Sequence, residues 1–246
     1  MVPSCVPDQA GNRPYRPSPV SYVPTILTNL QAARVSFGLY MGPGKAREGG
    51  GGYIWASCSY FYECLAGRQA KSWYPASQIL TDAAEGTLPA VSFVTPTSLI
   101  SQHNGFSMAQ GDNWIGSIVA AIQDNPTLWS STAIFITYDD CGCFYDHVSP
   151  PSGQGIRVPT VIVSPYARPG FTDSTSATFD SMLAYIEHTF GLPPLGQGDS
   201  GAYDYSDSFD YGQSPLGTVP AAQSEVPAGE RAWIAAHAAK EEADPT

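Results

Sequence analysis

An α/β fold with a largely parallel sheet flanked by helices is predicted by short apolar runs that alternate with amphipathic helices. The runs are Ala90 to Thr95, Ala133 to Thr137 and Val158 to Val163, each the length of a buried strand. Between the first two lies a helix with Asp112 as its N-cap, running through Asp124. It sets Trp114, Ile115, Ile118, Val119 and Ile122 on one face. After the third run comes a helix from Ser176 to Phe190, whose stripe is Phe179, Met182, Leu183 and Ile186. Gly191 and two prolines stop it. Strands that alternate with helices at this spacing argue a sheet covered on both faces.

The remaining elements follow in chain order. Met1 to Val20 holds five prolines and no apolar core of a signal peptide, so it reads as sequence entered midway through a domain. Pro24 to Val35 predicts a helix, with Pro24 at its first position and Ile26, Leu27 and Leu30 on a shared face. Ser36 to Met41 reads as a short strand. Gly42 to Gly52 has six glycines in eleven residues and reads as a loop. Ser77 to Glu85 is a helix closed by Gly86. The loop from Pro96 to Gly111 carries His103. Residues 196–227 are rich in Gly, Ser, Asp and Tyr, and Ala228 to Glu242 predicts a last helix.

Composition narrows the function. With 43% apolar and 13% charged residues in a chain of 246, a packed core is expected. The net charge of -11 would be repelled by nucleic-acid backbones and anionic membranes, which excludes a free-standing nucleic-acid binder. A bound cation locally reverses that field, so phosphate esters stay possible ligands. No apolar run reaches the roughly 18 residues of a spanning helix. Cys58 and Cys64 fit either a small disulfide loop of an exported protein or two buried thiols. The former is the expectation here.

The densest polar cluster follows the second run: Ile136-Thr137-Tyr138-Asp139-Asp140-Cys141-Gly142-Cys143-Phe144-Tyr145-Asp146-His147. Ligands of α/β sheets bind where strands end at their carboxyl side. Adjacent carboxylates there repel one another unless a dication holds both ionised. Gly142 frees the chain to turn, so that Asp139 and Asp140 converge on one metal ion. His103 and His147, on loops expected at the same sheet edge, could ligate, hold a phosphate oxygen or donate a proton. His188 and His237 read as structural. A zinc site from Cys141, Cys143 and His147 lacks a second ligand pair. Cys141 as a nucleophile has no independent support. Asp199, Asp204, Asp207 and Asp210 lack the EF-hand pattern, so they read as a solvated run and not a calcium loop.

The stretch Ile136 to Pro151 resembles the signature of the bacterial phosphoesterase family that includes phosphatidylcholine-type phospholipases C and an acid phosphatase. That signature reads hydrophobic-Thr-Trp/Tyr-Asp-Asp/Glu-x-Gly-Gly-Phe-Tyr/Phe-Asp-His-Val-x-Pro-Pro. Leu88 to Pro96, Arg157 to Ala167, Tyr185 to Leu192 and Thr25 to Tyr40 are similar to further family segments. The resemblance implies an alkaline-phosphatase-like fold and a Ser or Thr nucleophile that forms a covalent phosphoenzyme. It implies a divalent metal ion on Asp139 and Asp140 (zinc, manganese, iron or calcium), with His103 and His147 as catalytic residues. The substrate would be a phosphate-ester small molecule or a phospholipid head group. It also implies a secreted or periplasmic location, although this chain carries no signal peptide. On this reading residues 1–195 are a partial phosphoesterase domain, and residues 196–246 are a surface-wrapping tail with a short C-terminal helix.

The departures from the family pattern shape the expectation. The family's Glu-Asn ligand pair and the segment with its nucleophile are absent, Cys143 replaces a glycine, and Gln102-His103-Asn104 replaces Glu-His-Pro. The fold is therefore expected to lack its N-terminal part. Two other classes compete with the hydrolase: a catalytically inactive remnant that acts as a binding or interaction module, and an acidic calcium-binding structural domain.

Overall fold

The computed structural model describes residues 24–44, 55–65, 67–142, 144–196 and 198–237. The Pro-rich start, most of the glycine loop, Cys5, Cys143 and the end of the expected last helix lie outside them. The elements are α1 (Ile26–Ala33), β1 (Phe37–Met41), α2 (Tyr62–Leu65), β2 (Trp73–Tyr74), α3 (Gln78–Glu85), β3 (Val91–Thr95), α4 (Met108–Gln123), α5 (Pro126–Trp129), β4 (Ile134–Thr137), β5 (Thr160–Val163), α6 (Phe179–Phe190) and α7 (Ala228–His237).

The parallel sheet has the order β2-β1-β3, with Leu39 opposite both Trp73 and Phe93. Side chains of the central strand alternate between two cores, as the strand period requires. Leu39 and Met41 join a cluster with Ile26, Leu27 and Leu30 of α1, against which Leu183 and Ile186 of α6 pack. Tyr40 points the other way, to Ile79 and Ala83 of α3 and Ile118 and Ile122 of α4. Its hydroxyl donates to Asp82 at 2.6 Å, so the one polar atom of a fully buried side chain is satisfied.

β4 and β5 stand outside the parallel part of the largely parallel sheet expected. They pair antiparallel with each other, Ile134 opposite Val163 and Thr137 opposite Thr160, and form a separate ladder. Among the described residues no helix lies between Thr137 and Thr160. A parallel return normally needs a helical crossover, whereas a looping connection brings the second strand back antiparallel. Nor are these strands fully buried: β4 is half-buried throughout, and Val161 of β5 is 54% exposed.

Helix boundaries show which cap prevails. α4 begins at Met108, with Ser107 as N-cap accepting from the Gln110 N–H at 3.1 Å. Asp112 therefore lies inside the helix and is not its cap. Ser107 and Gln110 hold the spacing of a capping box, one turn earlier than the apolar stripe suggests. α1 is capped by Thr25, so Pro24 precedes the helix. α6 is capped by Thr178 and ends on Gly191 in the left-handed region, φ 61°. Its inner face carries Ser181, Ala184 and Glu187, whereas Phe179 is 51% exposed. Cys58 and Cys64 form a disulfide, and both are buried against the α1 core.

The segment after residue 195 is mostly exposed but anchored by buried side chains. Phe209 is 4% and Tyr205 7% exposed, and both pack their rings on Phe135 of β4. Phe209 bridges to Ala167, and Asp210 N–H donates to Tyr166 O at 2.9 Å. Further on, Trp129 Nε1 donates to Leu216 O, while Asn113 and Ser224 exchange two hydrogen bonds. Asp199, expected in solvent, is 2% exposed.

Candidate functional site

The carboxyl ends of β3 and β4 carry the two loops that hold the candidate residues. β4 ends at Thr137, and Asp139 and Asp140 follow at once, both exposed. Asp139 Oδ1 accepts the Asp140 N–H at 3.1 Å, and Asp140 Oδ1 accepts the Gly142 N–H at 2.6 Å. This pair of turns is what lets neighbouring side chains leave the two-sided geometry of a strand. Each carboxylate commits its Oδ1 to a backbone N–H.

Gly142 sits at φ 55°, as a turn on a glycine requires. A Cβ there would stand 3.1 Å from Asn104 Oδ1, and Asn104 Nδ2 donates to Gly142 O at 2.8 Å. That bond ties the His103 loop to the aspartate turn. Gly142→Ala is expected to destabilise the protein by about 1–2 kcal/mol, from the left-handed backbone alone. Urea unfolding measures this, and a loss below about 0.3 kcal/mol would mean the turn is not held as described.

His103 is placed by three contacts. Its ring stacks on Trp55 with centroids 5.2 Å apart, and Phe106 is 6.1 Å away. Its Nδ1 lies 3.1 Å from Asn104 O. A carbonyl only accepts, so Nδ1 carries the hydrogen of this contact, and in the neutral ring the lone pair falls on Nε2. Behind His103, Gln102 adopts φ 62° and acts as a strut. Its Nε2 donates to Met108 O at 2.8 Å, and its Oε1 accepts the Tyr138 hydroxyl at 2.6 Å. Burial first, then the charge of Asp112, raises the Tyr138 pKa and keeps that hydroxyl a donor. Gly111 packs close enough that a Cβ would lie 2.3 Å from Gln102 Cγ.

The two loops border a cleft of about 410 Å³, lined by Gln102, His103, Asn104, Phe106, Met108 and Phe144 among others. An adjoining cleft of about 370 Å³ shares Phe106 and is walled by Glu230 and Trp233 of α7.

His147 stands apart from this grouping. Its side chain is 82% exposed, and its ion-pair partner is Asp146, 3.8 Å away. Asp146 is also gripped by Arg157, Nε to Oδ2 at 2.7 Å and NH2 to Oδ1 at 2.9 Å. The Arg157 hydrogen bonds, with the Val148 N–H, hold the Asp146 pKa down at about 2. This fork closes the loop that follows the aspartates. Neither this fork nor the Gln102 strut is marked in the sequence, where Gln102 and Asn104 stand only as departures from the family pattern. His188 and His237 behave as structural residues, the first 2.7 Å from Asp204 and the second 2.7 Å from Trp233 O. Among the described residues no three His, Cys, Asp or Glu side chains converge as a metal would need.

The sequence profile of the Phosphoesterase family matches residues 7–193, a span that includes both loops and every strand. The chain belongs to the Phosphoesterase family. The chain is 31% identical over 139 residues to a non-hemolytic phospholipase C of Burkholderia pseudomallei, covering 44% of this chain and 20% of that protein. It is 28% identical over 178 residues to phospholipase C A of Mycobacterium tuberculosis, covering 60% and 34% respectively. With the hemolytic phospholipase C of Pseudomonas aeruginosa it shares 26% over 141 residues, covering 47% and 19%. The aligned stretches thus span about a fifth to a third of these relatives' lengths.

Proposed function

We propose that this phosphoesterase contributes the carboxylate and histidine loops of a metal-dependent phosphoric ester hydrolase, of the phospholipase C or acid phosphatase kind. It would act through a covalent phosphoenzyme whose nucleophile does not come from these residues. The observation that supports the reading is the 2.8 Å bond from Asn104 to Gly142 O, which ties the His103 loop to the loop of Asp139 and Asp140 beside a cleft that His103 and Gly142 both line. Membership of the family and the phospholipase C relatives support the same chemistry.

The donor set fits a divalent cation as two hard oxygen ligands, Asp139 and Asp140. Zinc, manganese, iron or calcium would each accept them, with remaining positions filled by water, substrate phosphate or a further polypeptide segment. Bound there, the cation would supply charge to offset the phosphoryl oxygens. His103 would carry or receive the proton at the leaving oxygen through Nε2, since its Nδ1–H is committed to Asn104 O. Exposed His147 is the second proton carrier, held on the loop that the Asp146–Arg157 fork closes. The ligand is a phosphate-ester small molecule or a phospholipid head group. The Cys58–Cys64 disulfide supports an exported location. Among the described residues no helix is long and apolar enough to cross a membrane.

The second reading, a catalytically inactive remnant that binds, is favoured by the lack of a three-residue ligand cluster among the described residues. Calorimetric titration of the chelator-treated chain with Mn²⁺, Zn²⁺ and Ca²⁺ separates the two. The hydrolase reading expects one cation bound, and tighter binding of inorganic phosphate in its presence. No cation binding would favour the inactive module. Turnover of p-nitrophenyl phosphate by this chain alone would overturn the placement of the nucleophile elsewhere.

A further inference from the structure

A second carboxyl pair lies away from the cleft, inside the seam between α6 and the segment that follows it. Glu187, on the inner face of α6, and Asp199, on the turn Asp199–Gly201, are each 2% exposed. Asp199 acts on Glu187 through its side chain and its charge, and both favour the protonated glutamate. Two buried carboxylates so placed repel one another unless one of them holds a proton. Asp199 Oδ2 also accepts the Leu195 N–H at 2.5 Å, while Glu187 Oε1 is buried with no hydrogen-bond partner. An ionised Glu187 would leave that oxygen charged, dry and unmatched, a state that burial strongly disfavours.

The surrounding charges leave this balance in place. Asp180 of α6 packs under Gly198, where a Cβ would come within 2.7 Å of its Oδ2, and so adds negative charge beside the turn. His188, next along α6, offers the nearby positive charge, but it is engaged with Asp204 at 2.7 Å. Helix α1, packed against the same face, has no ionisable side chain from Ile26 to Ala33. Burial first, then the hydrogen bond and charge of Asp199, pushes the Glu187 pKa up to about 7.

We propose that Glu187 and Asp199 form a proton-sharing clasp that fastens the C-terminal segment to α6 in acid and slackens as the pH rises to neutral. The clasp matters beyond its own turn. The segment it anchors delivers Tyr205 and Phe209 onto Phe135, on the strand that ends beside Asp139. Loss of the proton thus loosens the packing behind the aspartate turn.

The sign follows from linkage. The folded protein keeps a proton that an unfolded Glu, with its ordinary value of 4.5, gives up. The stabilisation is complete below pH 4.5 and is lost as the pH climbs to about 7. Thermal unfolding of the full chain, followed by circular dichroism from pH 4.5 to about 8, tests this. The wild-type Tm is expected to fall by about 5 °C across the window beyond any change shared with Glu187→Gln. Glutamine keeps a donor for Asp199 but cannot titrate, so its Tm profile flattens. Identical slopes for the two proteins would overturn the clasp. If the variant does not fold, carboxyl ¹³C NMR of the wild type decides. One glutamate titrating near pH 7 supports the proposal, and all glutamates titrating below pH of about 5.5 ends it.

Discussion

Asp139→Asn is expected to weaken divalent-cation binding about a hundredfold or more while leaving the fold intact. Asparagine has the shape of aspartate and retains an Oδ1 to accept the Asp140 N–H, so the turn at the end of β4 survives. The residue is exposed, and surface substitutions of this kind change stability by about 0.5 kcal/mol or less. What the change removes is a formal charge and a hard ligand. With only Asp140 left, one carboxylate would have to hold the cation against water. In an enzyme completed by a nucleophile-bearing segment, the same change is expected to slow ester hydrolysis roughly a hundredfold or more, since a bound cation offsets several kcal/mol of transition-state charge. Calorimetry and circular dichroism on the same sample separate ligand loss from misfolding. An unchanged isotherm would remove Asp139 from the ligand set, and with it the metal-dependent reading.

The parts of this protein that were legible in its sequence are those fixed by local chemistry. Gly86 and Gly191 were readable as helix ends because left-handed backbone favours glycine, and both stand there at φ 69° and 61°. Cys58 and Cys64 were readable as a loop closure. The aspartate turn was readable because Gly142 frees the chain to turn just beyond the end of β4. Long-range relations were not readable in the same way. Nothing in Thr160 to Val163 states its direction, so the antiparallel pairing with β4 was missed. The strut from Tyr138 through Gln102 to Met108 joins residues 36 and 6 positions apart, and no periodicity marks it. Of the four candidate residues, Asp139, Asp140 and His103 lie on loops tied by the Asn104–Gly142 bond, while His147 is exposed beside Asp146. The composition of residues 196–227 does not show the segment's anchors. Its many Gly, Ser and Asp residues describe the surface of the segment, while Tyr205 and Phe209 describe what it does.

That last point predicts a large effect. Phe209→Ala is expected to destabilise the protein by about 3–5 kcal/mol, the range for truncating a buried aromatic. Phe209 is 4% exposed, with its ring stacked on Tyr185 at 5.3 Å and on Tyr211 at 5.5 Å, and tilted against Phe135 at 6.2 Å. Such a group cannot collapse easily around a lost ring, because three of its walls are themselves rigid rings on α6, β4 and the segment itself. Burial alone contributes about 2–3 kcal/mol for a side chain of this size, and ring–ring geometry adds to it. A tail merely wrapped over the surface would lose about 0.5 kcal/mol or less on the same change. The two expectations differ several-fold, well outside the error of urea unfolding. A large loss would make the segment part of the α/β core. It would also explain how a distant stretch of chain stiffens β4, whose end presents the aspartates. A small loss would return residues 196–227 to the surface and deprive the Glu187–Asp199 clasp of anything to transmit.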